Sequence, residues 1–211
     1  MQMIRTALLL ATALPLAACY PQMSKTEQKP VVIATPAIPQ GLTGESRDRE
    51  WMKLVRKTKL KPELERETID YATKEKPGTI IVSTKERRLY YVLPDGKAER
   101  FPVSVGSEGR SWTGVAEINR KVEWPEWNPP TEMLERKPEL PNRMEGGPLS
   151  PMGARALYLA QGGKDTLFRI HGTNEPEFIG EPVSSGCIRM FNEDVLDLYN
   201  RVKLGTKVVV T

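Results

Sequence analysis

The chain has few residues of the types that bind metals or form disulfides, with one histidine and two cysteines among 211 residues. The histidine and one cysteine would supply only two of the four ligands that zinc usually takes, which disfavours a metal site. The two cysteines, Cys19 and Cys187, lie far apart in the chain and have different surroundings. We therefore interpret each cysteine from its own flanking sequence.

The apolar run near the N-terminus, residues 6–16, is short. It lacks the about 20 apolar residues that a membrane-spanning helix needs. Arg5 precedes this run and Leu16-Ala17-Ala18-Cys19 ends it, which is the pattern of an export signal. The tetrad resembles the lipobox of bacterial lipoproteins, and this implies cleavage before Cys19 and lipidation of Cys19. We predict a lipoprotein signal peptide over residues 1–18; an ordinary secretory signal with a chance cysteine is the alternative.

If Cys19 carries lipid, Cys187 has no partner within the chain and is either a pairing site or a reactive thiol. Disulfides then do not hold the fold together. The net charge of +4 and the pI of about 9.0 suit an anionic wall polymer or a membrane surface. Nucleic acid is not expected as a partner of an exported protein.

Composition divides the remainder into three parts. Residues 19–44 are rich in Pro, Gln, Thr, Ser and Lys and predict a flexible tether. Residues 45–76 are highly charged and predict short helices, broken at Pro62, that pack on the following domain. Pro77-Gly78 marks the start of the main domain, which we place at residues 77–211.

The main domain is predicted to be mainly β, because short β-branched or alternating segments recur along it. One helix is predicted over residues 193–202, with Asn192 as its N-cap. Many short strands and few short helices indicate a β-sandwich or a barrel-like domain. The predicted strands cover residues 79–83, 89–93, 101–105, 116–124, 156–159, 167–170 and 207–211.

A long Pro-rich stretch occupies residues 123–151 and contains Trp124 and Trp127. Loops of this length are usually functional or disordered, and two tryptophans argue against disorder. The sequence leaves two interpretations open, a binding loop or lid and a structural cover over a sheet edge.

His171 and Cys187 are the candidates for chemistry, since a thiol that transfers acyl groups needs a base and donors for the oxyanion. His171 ends a predicted strand, and small residues precede Cys187. Taken alone, the pair is more often structural, because free cysteines are usually small buried hydrophobes.

The flanking residues of this pair carry a resemblance. His171-Gly172-Thr173-Asn174 and, further on, Ser184-Ser185-Gly186-Cys187-Ile188-Arg189-Met190 resemble the signature of the L,D-transpeptidase (YkuD-like) catalytic domain. The resemblance covers about residues 77–211. It implies a β-sandwich with a catalytic cysteine in a cleft under a loop, together with a few short helices.

The resemblance also implies residue roles. Cys187 is the expected nucleophile, His171 the base, and the Gly172 carbonyl the group that orients the histidine. Arg189 either binds a substrate carboxylate or pairs with Asp194, and we favour the pairing. Asn192 is expected to brace the cysteine loop. The expected oxyanion donors are the backbone N–H groups of Ser185, Gly186 and Cys187, and the expected substrate-binding residues are Ser184, Tyr158 and Arg189.

Two positions depart from the family pattern. Ser150 stands where a Gly-x-x-Asn-Pro-Leu-Gly segment common in the family has its asparagine, which puts a side-chain role at this position in doubt. The other position is Ser185. Many members have a histidine directly before the Gly-Cys pair, where this chain has Ser185. The expected role there is a backbone donor, so the change removes a second imidazole without removing that role.

The reaction that the resemblance implies needs no cofactor or metal. Cys187 would attack the L-centre carbonyl of diaminopimelate in a peptidoglycan tetrapeptide stem, release D-Ala, and pass the acyl group to an amine. That amine belongs to a second stem (a 3–3 cross-link) or to an envelope protein. Transfer to water would make a carboxypeptidase, which is less favoured, and an inactive wall-binding lipoprotein is a third hypothesis. Carbapenems are expected to acylate the thiol.

The predicted location is the periplasm, with the chain anchored to a membrane through Cys19. The residue after Cys19 is Tyr20 rather than Asp, so the inner-membrane retention signal known in enterobacteria is absent. This favours the outer membrane.

Overall fold

The computed structural model describes residues 38–108 and 110–211. The predicted signal peptide, Cys19 and most of the predicted tether lie outside these ranges. In the described part, no helix combines the length and the apolar character needed to cross a membrane.

The described residues form one hydrogen-bonded sheet of nine strands, in the order β1-β4-β3-β2-β9-β5-β6-β7-β8. The prediction of a mainly β fold with a few short helices is confirmed. The strands are β1 (Glu67–Asp70), β2 (Ile80–Ser83), β3 (Arg88–Val92), β4 (Lys97–Pro102), β5 (Gly114–Glu123), β6 (Arg155–Gln161), β7 (Lys164–His171), β8 (Ile188–Arg189) and β9 (Lys207–Val210). The helices are α1 (Gly44–Trp51), α2 (Thr131–Arg136) and α3 (Asn192–Arg201), with single 3-10 turns at Pro62–Leu64 and Pro176–Phe178.

The sheet curls until its two ends meet. Ser104 follows β4 near one end of the strand order, yet it bridges Arg189 of β8 at the other end through two 2.9 Å backbone hydrogen bonds. Strands from both halves and helix α3 therefore enclose a single core. The largest fully buried side chains of this core include Phe101, Leu157, Ile170, Met190 and Leu198.

The prediction of helices throughout residues 45–76 is wrong for residues 67–70, which form β1 and pair with β4. Ile69 and Tyr71 are two residues apart, the spacing of one strand face. Both pack on the outside of the sheet, and the Tyr71 ring stacks on Tyr90 at 4.5 Å between centroids. This packing outweighs the high local charge on which the helix prediction rested.

Helix α1 docks on the main domain through Asp48. Its carboxylate accepts hydrogen bonds from Trp124 Nε1 (2.7 Å) and from Arg155 Nη2 (2.5 Å). Arg155 is 3% exposed, so its buried positive charge is stabilised by the Asp48 carboxylate rather than by water. The Trp51 ring meets Trp124 edge-on at 5.1 Å between centroids. The N-terminal segment is thus joined to the start of the long Pro-rich loop.

Replacing Asp48 with alanine is expected to lower the free energy of unfolding by about 2 to 3 kcal/mol, because it leaves the buried Arg155 charge without its partner. Burial opposes ionisation of Asp48, but hydrogen bonds from Arg155 and Trp124 outweigh it and lower the pKa of the carboxyl. Urea denaturation at neutral pH measures the loss. Glu50→Ala is the matched control, since Glu50 pairs with Lys53 in solvent and should cost less than about 1 kcal/mol. Equal losses in the two variants would contradict this account.

Candidate active site

The register of two parallel strands brings the histidine and the cysteine to one face of the sheet. In β7 and β8, Ile170 lies opposite Ile188, and His171 lies opposite Arg189. Both isoleucines are buried in the core, so His171 and Arg189 point to the other face. Cys187 directly precedes β8, and the same alternation places it on this face, diagonally opposite His171.

Cross-strand pairing extends this face over four strands, as two adjacent rows of side chains. We name each row after its member at the candidate site. The histidine row consists of Val122, Ala156, His171 and Arg189. The cysteine row consists of Arg120, Tyr158 and Arg169, followed by Cys187 beside Arg169.

His171 is buried and neutral. Its Nδ1 lies 2.6 Å from the Gly172 carbonyl oxygen, which can only accept, so Nδ1 carries the proton and Nε2 is free to act as a base. Burial, and then the nearby Arg189 charge, lower the pKa of His171 to about 3, although hydrogen bonds to Gly172 and Met152 oppose this shift. The predicted contact between His171 and the Gly172 carbonyl is therefore present.

The Cys187 thiol is also neutral at rest. Burial raises its pKa, and a hydrogen bond to the Arg169 backbone and the charges of Arg169 and Arg189 act in the opposite direction without cancelling it. The described site thus holds a thiol and an uncharged imidazole rather than a thiolate–imidazolium ion pair. Such a thiol needs a base at the moment of attack.

The buried neutral histidine makes stability depend on pH. An unfolded histidine gains its proton near pH 6.5, whereas folded His171 gains it near pH 3. Between these values the unfolded state binds more protons, so stability falls as pH falls, by at most about 1.4 kcal/mol per pH unit.

This linkage predicts that the stability difference between the wild type and His171→Gln changes steadily between pH 7 and pH 4. Urea denaturation at a series of pH values measures it, and other titrating groups, such as Asp194, are common to both proteins. A difference that stays constant over this range would contradict a buried neutral His171.

The cysteine loop, residues 184–187, is held together by Ser184. Its hydroxyl donates to the Cys187 carbonyl at 2.6 Å and accepts from the Gly186 N–H at 3.1 Å. Ser184 is 1% exposed, so the predicted substrate-binding role of Ser184 is wrong, and the side chain instead braces the loop. The Gly186 N–H, one of three predicted oxyanion donors, is already engaged by this hydroxyl.

The cysteine loop also packs tightly on the segment that follows β4. Ser184 exchanges backbone hydrogen bonds with Val105 (3.0 Å) and Ser107 (3.1 Å). Gly186 has φ +131°, and a Cβ there would lie 2.6 Å from the Phe168 ring and 2.9 Å from the Arg110 carbonyl oxygen. Only glycine fits this backbone at this distance.

Asn192 does not act as the predicted N-cap or brace the cysteine loop. It is the first residue of α3, and its buried amide accepts from the Ala154 N–H (2.9 Å) and donates to the Thr173 carbonyl (2.7 Å). Because both partners lie beside Gly172, Asn192 fixes the segment that orients His171. The Arg155 carbonyl accepts from the Gly172 N–H at 3.0 Å and adds to this support.

The favoured pairing of Arg189 with Asp194 is wrong. Arg189 Nη1 lies 2.9 Å from Glu175 Oε2, on the face of the sheet that also carries His171. Asp194 instead faces Arg66, at 3.8 Å. Burial, as the largest cause, raises the pKa of Asp194 to about 6.

A cleft of about 650 Å³ adjoins the cysteine loop at Ser185. Helix α2, inside the long Pro-rich loop, forms one wall, and two 2.8–2.9 Å hydrogen bonds between Trp127 and Met144 close the base of that loop. This arrangement favours a binding loop over a mere cover. Residues on the other sides of the cleft, which sequence reasoning missed, include Arg110, Trp112 and Phe168.

Comparison with known families gives one match that covers most of the chain. The sequence model of the YkuD family, described as the L,D-transpeptidase catalytic domain, matches residues 77–210. The match includes His171, the cysteine loop and the strands of both rows.

Individual relatives agree with the family match. The chain is 39% identical over 140 residues to a protein of Escherichia coli K12 named "Probable L,D-transpeptidase ErfK/SrfK", covering 62% of this chain and 43% of that protein. It is 36% identical over 139 residues to "Probable L,D-transpeptidase YbiS" of the same organism, covering 61% and 43%. The chain therefore spans less than half the length of these relatives.

A crystal structure from Brucella melitensis, named as a probable carnitine operon oxidoreductase, is 48% identical to the chain. The match covers 72% of this chain and 96% of that one, with a TM-score of 0.49. A structure of L,D-transpeptidase 3 from Mycobacterium tuberculosis gives a TM-score of 0.47 at 18% identity, covering 63% of this chain and 59% of that one.

Proposed function

Because the chain belongs to the L,D-transpeptidase catalytic-domain family, we propose that it transfers an acyl group from a peptidoglycan stem peptide to an amine through a thioester on Cys187. The donor is a tetrapeptide stem that ends in diaminopimelate and D-Ala. The observation that carries the proposal is the shared face of β7 and β8, where Cys187 stands diagonally opposite a neutral His171 oriented by Gly172.

In the acylation step, His171 Nε2 takes the thiol proton as Cys187 Sγ attacks the carbonyl at the L-centre of diaminopimelate. The bond from this carbonyl carbon to the nitrogen of D-Ala breaks, and His171 returns the proton to the leaving amine. The acceptor amine then attacks the thioester, loses its proton to His171, and the Cys187 thiolate leaves and is reprotonated. Every proton passes through one imidazole, which suits a site whose resting groups are both uncharged.

The developing oxyanion needs donors that are fixed in advance. The backbone N–H groups of Ser185 and Cys187 are the donors in this proposal, and the Gly186 N–H holds the loop in place through Ser184 Oγ. The tight packing of Gly186 on Phe168 and the Arg110 carbonyl supports a rigid loop.

The location is part of the proposal. Signal cleavage before Cys19 and lipidation of its thiol and amine would anchor the chain to a bacterial membrane, with the catalytic domain in the periplasm. The Leu16-Ala17-Ala18-Cys19 tetrad supports this, and Tyr20 at the next position favours the outer membrane. The acceptor amine belongs to a second stem or to an envelope protein.

The test uses the full chain in detergent, purified disaccharide tetrapeptide, and mass spectrometry of the products, with Cys187→Ala alongside. A cross-linked dimer that has lost D-Ala, formed by the wild type and absent with Cys187→Ala, is the expected result. Tripeptide without dimer, even when an amine acceptor is added, would replace transfer with hydrolysis. No turnover and no carbapenem adduct on Cys187 would contradict the enzymatic function and leave a wall-binding protein.

A further inference from the structure

In the cysteine row, two arginines pack on the ring of Tyr158. We call Arg120, Tyr158 and Arg169 the arginine platform, and its Arg169 end lies beside Cys187. The Arg120 guanidinium lies 3.7 Å from the Tyr158 ring centroid, and the Arg169 guanidinium lies 4.4 Å from the same centroid. The two arginines come from the strands on either side of β6. Tyr158, predicted to bind substrate, thus serves as the surface on which two guanidinium groups rest.

Among the described arginines of these two rows, one forms no ion pair. Arg169 makes two bonds to Asp165, at 2.8 and 2.9 Å, and Arg189 pairs with Glu175. Arg120 is exposed and has no carboxylate within 4.0 Å in the part of the chain that the structure describes, although its charge acts on Asp165 from a greater distance and helps to lower the pKa of that carboxyl. Its guanidinium is held by the Tyr158 ring and its hydrogen-bonding edge remains available, which favours bidentate binding of a carboxylate.

The direction of the acyl chain follows from the place of His171. The leaving amine and the acceptor amine must both lie beside this imidazole, since it gives or takes their protons. His171 stands in the histidine row, so the acyl part of the donor extends along the other row, away from it. That row runs from Cys187 past Arg169 and Tyr158 to Arg120.

The length of the row fits a short peptide. Neighbouring strands lie about 4.8 Å apart, so Arg120 is on the order of 14 Å from the nucleophile, three strands away. An extended peptide advances about 3.3 Å per residue, so the three residues of the acyl part cover about 10 Å of this distance. The Arg120 side chain can extend towards the nucleophile. Carboxylates on residues close to the reacting carbonyl therefore also lie within its reach.

From this arrangement we infer that Arg120, held on Tyr158, binds a side-chain carboxylate of the acyl donor and makes the site select donors that carry one. The inference rests on the proposed function and names a specificity-determining residue for it. A charge-assisted hydrogen bond of this kind corresponds to a preference of about 10- to 100-fold for the carboxylate over an uncharged amide.

The test is a binding measurement on full-chain Cys187→Ser, which needs no turnover. Two tetrapeptide stems are compared by calorimetry, one with free side-chain carboxylates on its acyl part and one with each of them amidated. The expected result is a 10- to 100-fold preference for the free stem, which falls towards 1 in the Arg120→Gln double variant. Arg120→Lys keeps the charge but loses the planar fork that stacks on Tyr158 and binds a carboxylate through two hydrogen bonds, so it should retain only part of the preference.

Arg49→Gln is the matched control, because Arg49 is exposed on α1 and removing it changes the net charge equally. The preference should be unchanged in this variant. A preference that survives Arg120→Gln, one that Arg49→Gln lowers equally, or no binding of either stem would overturn the inference. If the proposed function itself fails, the result is different. The binding preference would still depend on Arg120, but the chain with Cys187 intact would release no D-Ala from the stem.

Discussion

Replacing His171 with glutamine is expected to slow acylation of Cys187 by about 10³-fold, since positioned acid–base groups contribute about 10² to 10⁴ in rate. Both resting groups are uncharged: burial raises the pKa of the thiol and lowers that of the imidazole to about 3. The nucleophile is therefore generated only when the imidazole accepts its proton. Glutamine occupies the site but offers no nitrogen lone pair for this transfer.

The acylation rate is measured by intact-protein mass spectrometry during incubation with a tetrapeptide stem and, separately, with a carbapenem. Lys164→Gln, at the exposed start of the same strand, is the control and should acylate at the wild-type rate. A His171→Gln protein that remains within a few-fold of the wild type would remove His171 from the mechanism.

The second large effect is expected at Gly186, where alanine should lower kcat/KM for the stem by at least about 100-fold. Its Cβ would lie 2.6 Å from the Phe168 ring and 2.9 Å from the Arg110 carbonyl oxygen, at a φ of +131° that side chains rarely adopt. The loop must shift to relieve these contacts, and a displacement of about 1 Å at a reacting centre can cost about 10²-fold.

Gly162→Ala is the control for Gly186→Ala, because it introduces the backbone strain of a positive φ without a steric contact. Gly162 has φ +56°, and a Cβ there meets nothing within 4 Å, so the variant should lose about 1 kcal/mol of stability and keep its activity. If Gly186→Ala were as active as Gly162→Ala, the rigid cysteine loop would not be needed for the reaction.

Local sequence patterns predicted the parts of the fold that local patterns determine. The alternation of apolar residues identified most strands of the sheet, and the stripe in residues 193–202 identified α3. Strand β1 was missed because only four residues form it, in a highly charged segment, and it depends on pairing with β4. Strand β8 has two residues, and its position beside β7 comes from tertiary structure.

The candidate site was predicted through its motif, not through its geometry. The sequence around His171 and Cys187 indicated which residues to pair, and the strand register shows how they meet on one face. Roles that depend on distant partners were not predictable. Arg189 meets Glu175 rather than Asp194, and Asn192 bonds to Ala154 and Thr173 across 38 and 19 residues.

The arginine platform depends on the strand register, which local sequence does not determine. Arg120 lies opposite Tyr158 only because the pairing of β5 and β6 shifts at an irregularity between Ile118 and Arg120. Sequence alternation alone does not reveal such a shift, since one extra residue moves a side chain to the other face. Arg169 lies two residues before His171 in the sequence, but only the β6–β7 register shows that it lies opposite Tyr158 in the cysteine row.

The most direct test of the central claim is to trap the acyl group on the protein. The full chain is incubated with a tetrapeptide donor whose diaminopimelate side-chain amine is acetylated, so that no acceptor amine is present, quenched in acid, and mapped by peptide mass spectrometry. We expect the tripeptide acyl group on Cys187, released by hydroxylamine as a thioester should be, and absent from Cys187→Ala. D-Ala release by Cys187→Ala, or turnover of the wild type with the acyl group on another residue, would contradict the account.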